Sequence, residues 1–83
     1  MDVTIAKSAA GQFDRLPLVI QARMLRLFER LERWPEVSGV KRLTGNLAGR
    51  YRMRTGDYRL QFRVERNRII VEKVGHRDGF YED

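Results

Sequence analysis

The chain contains no cysteine, one histidine and two prolines in 83 residues. Without cysteine there are no disulfides, no thiolate metal ligands and no thiol nucleophile, and nothing ties the fold to an oxidising compartment. One histidine excludes a histidine-rich metal cluster. Long apolar runs are missing as well. No uncharged stretch approaches the ~20 residues that a membrane-spanning helix requires, and residues 1–7 lack the basic and apolar segments of a secretion signal. These absences predict a cytoplasmic protein with no membrane partner and no metal or other cofactor. Lysine is scarce too: the seventeen basic residues comprise Lys7, Lys41, Lys73 and fourteen arginines.

What is present suits one small globular domain spanning residues 1–83. The hydrophobic fraction is 42% and the charged fraction 34%, with the two classes interleaved rather than blocked, so the chain can bury one core but not two. The net charge of +6 is unevenly spread. Residues 1–39 carry six cations and five anions, whereas residues 40–83 carry eleven and six. Between Lys41 and Arg59 six cations face a single anion, Asp57. A patch of this kind predicts a polyanionic partner, either nucleic acid or an acidic protein. Its arginine bias favours planar, forked contacts to phosphate or carboxylate.

Periodicity supplies the architecture. The β-branched run Val3-Thr4-Ile5 predicts a strand. Ser8 is a candidate N-cap for a helix over residues 8–16, which Pro17 ends. A second helix follows, with Leu18, Ile20, Met24, Leu27, Phe28, Leu31 and Trp34 on one face and arginines and glutamates on the other, stopping at Pro35. The stretch after Pro35, punctuated by Gly39, Gly45, Asn46 and Gly49, reads as a loop. The period then becomes two: Arg50, Arg52 and Arg54 alternate with Tyr51 and Met53, Thr55-Gly56-Asp57 is turn chemistry, and Tyr58, Leu60, Phe62 and Val64 alternate with Arg59, Gln61 and Arg63. After a turn at Arg66-Asn67, residues 69–74 form a strand that is apolar on both faces. The glycine-rich tail from Gly75 is predicted to form no further element. The fold class expected is α+β: a helical hairpin packed on one face of a small, mainly antiparallel four-stranded sheet. If Tyr58, Leu60, Phe62 and Val64 face the helices, then Arg52, Arg54, Arg59 and Arg63 line the open face.

The segments Lys41-Arg42-Leu43-Thr44-Gly45-Asn46-Leu47, Tyr51-Arg52-Met53-Arg54-Thr55-Gly56-Asp57-Tyr58-Arg59-Leu60 and Val74-Gly75-His76-Arg77, followed by Tyr81, resemble those of RelE-type toxins of the RelE/ParE superfamily. The resemblance spans essentially the whole chain. It implies a toxin of a type II toxin-antitoxin system that cleaves mRNA on the ribosome without a metal and inhibits translation, and that is neutralised by a cognate antitoxin protein. Contact with operator DNA is expected only through that antitoxin. It also implies a site at Arg52, Arg54, Arg59, Arg77 and Tyr81. Attack by a 2′-hydroxyl on the adjacent phosphate builds negative charge that guanidinium groups can stabilise, and a tyrosine can stack on a splayed base. The same fold also serves ParE-like toxins, which inhibit DNA gyrase without nuclease chemistry, so fold alone leaves both readings open.

Some RelE-type enzymes carry lysines where this chain has Arg52 and Arg54, and arginine is too basic to act as a proton acceptor. The general base must come from elsewhere. The sequence offers His76, whose side-chain type titrates near neutrality, and Glu72, which strict alternation would place on the same strand face as His76. An acidic antitoxin segment is expected to neutralise part of the arginine cluster.

Overall fold

The computed structural model describes residues 1–80. It consists of a five-stranded sheet with a helical hairpin on one face. The elements run β1 (Asp2–Ile5), α1 (Lys7–Asp14), α2 (Leu18–Leu31), β2 (Lys41–Arg42), β3 (Arg50–Thr55), β4 (Tyr58–Glu65), β5 (Arg68–His76) and a single helical turn, α3 (Arg77–Phe80). The strand order is β1-β5-β4-β3-β2. β1 pairs with β5 in parallel and every other pairing is antiparallel.

The core forms where the two periodicities meet. Ile20, Met24, Leu27, Phe28 and Leu31 of α2 pack with Ala9 of α1 against Met53, Leu60, Phe62, Ile69, Val71 and Val74 of the sheet. Tyr58 and Val64 are half-buried at the edges of this cluster. Trp34 lies edge-on to Tyr51 and Phe62, at centroid distances of 4.9 and 5.3 Å, and closes one end. The helix-facing set on β4 is therefore the one expected from its alternation, and the arginines take the other face.

Four sequence expectations are corrected. The sheet has five strands rather than four, because Lys41 and Arg42 pair with Arg52 and Tyr51; two residues are too few to show a period of their own. Ser8 does not cap α1. The Ala6 N–H still donates to the Val71 carbonyl at 2.9 Å while the Ala6 carbonyl already accepts from Ala10, so the parallel ladder runs directly into the helix and places its cap at Ala6. α1 ends at Asp14, where the Gln21 side chain donates to the carbonyls of Phe13 and Leu16, both at 3.1 Å. The tail does form an element. Phe80 is buried, the Arg77 N–H donates to the Asp57 carbonyl at 2.8 Å, and His76 Nδ1 accepts from the Asp78 N–H at 3.1 Å. Together these hold residues 77–80 as one turn of helix.

The open face is not bare. Leu43, Ile70 and Phe80 are buried yet stand apart from the helix-side cluster. Ile70 is the register partner of Arg63, so the long aliphatic part of an arginine lies beside it. No helix among the described residues is long and apolar enough to cross a membrane.

Candidate nucleic-acid interface on the open sheet face

The two-residue turn between β3 and β4 aligns the arginines. Gly56, the first turn residue, has φ +58°, the sign that a II′ hairpin turn requires there. The tight turn sets the register Arg54↔Arg59, Arg52↔Gln61 and Arg50↔Arg63. Cross-strand partners share a face, so β3 and β4 present five arginines in two files. β2 adds Lys41 beside Arg52. Lys41, Arg52, Arg54 and Arg59, with Gly39 and Met53, line a cavity of about 290 Å³. Among the described residues, neither Lys41 nor Arg54 has a carboxylate within ion-pair distance. Arg59 turns its guanidinium onto the carbonyls of Gly56 (3.0 Å) and Tyr58 (3.2 Å), contacts that hold its direction and leave its charge uncompensated.

The far end of the same face differs. Arg50 Nε donates to Glu72 Oε1 at 2.9 Å and Arg63 donates to Glu72 Oε2 at 2.8 Å. Gln61 adds a longer contact to Oε1. Arg63 also reaches Glu65 at 3.0 Å, and Glu65 lies 3.6 Å from Arg68. The hydrogen-bonded Glu65, and after it Glu72, raise Arg63 above the ordinary guanidinium value. Arg63, more than Arg68, holds the Glu65 carboxyl below the ordinary carboxylate value.

Glu72 reaches these arginines because β5 breaks its alternation. Gln61 pairs with Lys73 and Phe62 with Val71, which leaves Glu72 without a partner in a β-bulge. The bulge also reverses the parity of the residues beyond it. His76 pairs with Tyr58 and meets its ring edge-on at 5.1 Å, and Tyr58 packs against the helix-side core. The expectation that Glu72 and His76 share a face is therefore overturned: the bulge sends them to opposite faces. His76 lines a different cavity, of about 310 Å³, with Gln12, Arg15 and Leu16 of the helical hairpin side and Gly79 and Phe80 of α3.

The structure thus brings Arg52, Arg54 and Arg59 to one cavity. Arg77 stands at the same end of the sheet, with its guanidinium 3.7 Å from Asp57 and 3.6 Å from Asp78. His76 lies on the other face, and Glu72 is clamped by two arginines at the far end. Tyr81 falls outside the described residues. Lys41 is the cavity residue that sequence reasoning passed over. Its signal was weak, a basic pair after Gly39 in a stretch with no periodicity. No group of three or more carboxylate or histidine side chains among the described residues is arranged to hold a metal ion.

Residues 3–79 match the family described as ParE toxin of type II toxin-antitoxin system, parDE. The chain belongs to this family. It is the toxin of a type II toxin-antitoxin pair, built on the α+β fold of the RelE/ParE-like toxins. The toxin-antitoxin complex RelBE2 from Mycobacterium tuberculosis contains a chain 30% identical to this toxin, with a TM-score of 0.81 over 92% of this chain and 90% of that one. The archaeal RelE-RelB complex from Pyrococcus horikoshii matches at 30% identity and a TM-score of 0.73, covering 92% and 93% of the two chains. The RelB-RelE complex from Methanococcus jannaschii shares the fold at 24% identity, with a TM-score of 0.79 and 95% coverage of both chains. No curated protein sequence matches the chain.

Proposed function

We propose that this toxin is a RelE-type endoribonuclease that cleaves mRNA on the ribosome and so inhibits translation. The observation that carries this reading is the cavity lined by Lys41, Arg52, Arg54 and Arg59, four basic side chains around one volume with no carboxylate among its described lining residues. Such a cavity suits a phosphodiester. Attack of a ribose 2′-oxygen on its own 3′-phosphate gathers negative charge on the phosphoryl oxygens in the transition state, and fixed guanidinium groups stabilise that charge more than they stabilise the ground state. Arg77 borders the cavity's end of the sheet and binds phosphate in this scheme. Tyr81 stacks on a base. The RelE names of relatives at 30% identity support the reading. Because those relatives are toxin-antitoxin complexes, a cognate antitoxin is the expected protein partner, with an acidic segment that competes for the same arginines.

A second reading, inhibition of DNA gyrase without nuclease chemistry, is favoured by the ParE description of the matching family. A translation extract programmed with one defined mRNA separates the two. Primer extension is expected to reveal cleavage at fixed codon positions that vanishes in Arg59→Ala and Arg77→Ala. Intact mRNA together with blocked gyrase supercoiling would overturn the ribonuclease reading.

A further inference from the structure

Resting on the ribonuclease reading, we propose that Lys41 is the proton acceptor for the attacking 2′-hydroxyl. The cavity has four basic side chains, and three of them are guanidinium groups that stay protonated at any workable pH. An amine is the one side chain there that can give up a proton and take it back. Lys41 stands on the two-residue strand β2 as the register partner of Arg52, so the side chains of this pair leave the sheet on one face within about 5 Å of each other. The charged groups that face it are Arg52 and Arg54 of β3 and Arg59 of β4. Its amine makes no ion pair or side-chain hydrogen bond with any described residue.

Among the described residues, the carboxylates nearest this end, Asp57 and Asp78, lie beside Arg77, and the acceptors offered by the sequence are engaged or displaced. Glu72 holds two arginines with its two oxygens. His76 Nδ1 accepts the Asp78 N–H, and its ring lies on the helix side of the sheet. Lys73 is hydrogen-bonded to the Phe80 carbonyl and sits 4.6 Å from the centre of the Phe80 ring. Some RelE-type enzymes carry lysines at the positions of Arg52 and Arg54, on β3; here the amine stands one strand outward, on β2.

In the reaction, the Lys41 amine, after releasing its own proton to solvent, takes the 2′-hydroxyl proton as the 2′-oxygen forms its bond to phosphorus. The P–O5′ bond breaks, and its electron pair leaves on the 5′-oxygen. In-line displacement puts that oxygen on the side away from Lys41, so a water molecule protonates it. The hydroxide formed takes the proton from the Lys41 ammonium and restores the amine. The products are a 2′,3′-cyclic phosphate and a 5′-hydroxyl.

The test is single-turnover cleavage of ribosome-bound mRNA across a pH series, using the full chain. Lys41→Arg keeps the charge and removes the acceptor. It is expected to slow cleavage by about 100- to 10,000-fold with ribosome binding unchanged, while Lys7→Arg on the exposed side of α1 cleaves as the wild type does. Because the chain has no cysteine, Lys41→Cys treated with 2-bromoethylamine places a thioether analogue of lysine at this position alone. The analogue's ammonium is more acidic than that of lysine. Restored cleavage with the rising limb of the pH profile moved to lower pH supports the proposal. Full activity in Lys41→Arg, restoration with an unmoved limb, or no restoration overturns it while leaving the ribonuclease reading intact. A wild-type protein that cleaves no mRNA overturns that reading, and this proposal with it.

Discussion

The two ends of the open sheet face use the same residue type for opposite purposes. At the end that carries Arg50, Arg63 and Arg68, the carboxylates of Glu72 and Glu65 bind the guanidinium groups at 2.8 to 3.6 Å. At the hairpin end, Lys41, Arg52, Arg54 and Arg59 surround a cavity with no carboxylate among its lining residues. A count of arginines sees one basic stripe. Among the described residues, the counter-ions divide it into an end where Glu72 and Glu65 tie the guanidinium groups into the fold and an end where Lys41, Arg54 and Arg59 have no carboxylate at ion-pair distance. The divider is a single bulged residue, Glu72, which drops out of the β4 pairing and reaches two arginines at once.

If that division is real, substitutions at the two ends should fail in different assays. Among the charge removals that compare the two ends, the largest effect is expected from Arg54→Ala, at the hairpin end. Losing one charge-stabilising donor should slow single-turnover mRNA cleavage by about 100- to 1,000-fold, while the urea midpoint stays unchanged because Arg54 is exposed and makes no ion pair with a described residue. Glu72→Gln should do the reverse. Its side chain is 17% exposed, and replacing it leaves Arg50 without its carboxylate and Arg63 with Glu65 alone, so the urea midpoint should correspond to a loss of about 1–3 kcal/mol. A stability equal to that of the wild type would show that the clamp has no structural role.

The smallest effect belongs to Glu65. Its carboxyl is held below the ordinary value by Arg63. A group depressed in the folded state stabilises the protein above its unfolded pKa and loses that contribution as pH falls through its folded value. Thermal stability should therefore decline on acidification below the ordinary carboxylate range, and Glu65→Gln should make that decline shallower. An identical pH profile for Glu65→Gln would remove Glu65 from the structural end.

Much of this division could be read from sequence, but not the bulge. The apolar alternation of Tyr58, Leu60, Phe62 and Val64 names the face that meets the helices, and the arginines between them take the other side by necessity. The helix-period stripe from Ile20 to Leu31 names the layer that covers the sheet. Alternation assumes an unbroken period, however. The extra residue at position 72 leaves no mark in the composition of residues 69–74, so strict alternation assigns His76 to the wrong face. The cap at Ala6 comes from a hydrogen bond to Val71, a residue far away in sequence, which a local reading of Ser8 cannot anticipate. Lys41 was hidden because a two-residue strand is recognised only by its partner. Arg52, Arg54 and Arg59 were legible because they sit on long strands around a tight turn, where register follows from the turn itself.

The central claim is that the hairpin end, around Lys41, Arg54 and Arg59, and not the end clamped by Glu72 and Glu65, handles the scissile phosphate. Paired single-turnover cleavage measurements on ribosome-bound mRNA with Arg59→Ala and Arg63→Ala, at equal net charge, test it most directly. The account predicts a loss of about 100-fold or more for Arg59→Ala and a rate within a few-fold of the wild type for Arg63→Ala. Equal losses in the two variants would contradict it, because they would mean that total positive charge, rather than its placement around the cavity, governs cleavage.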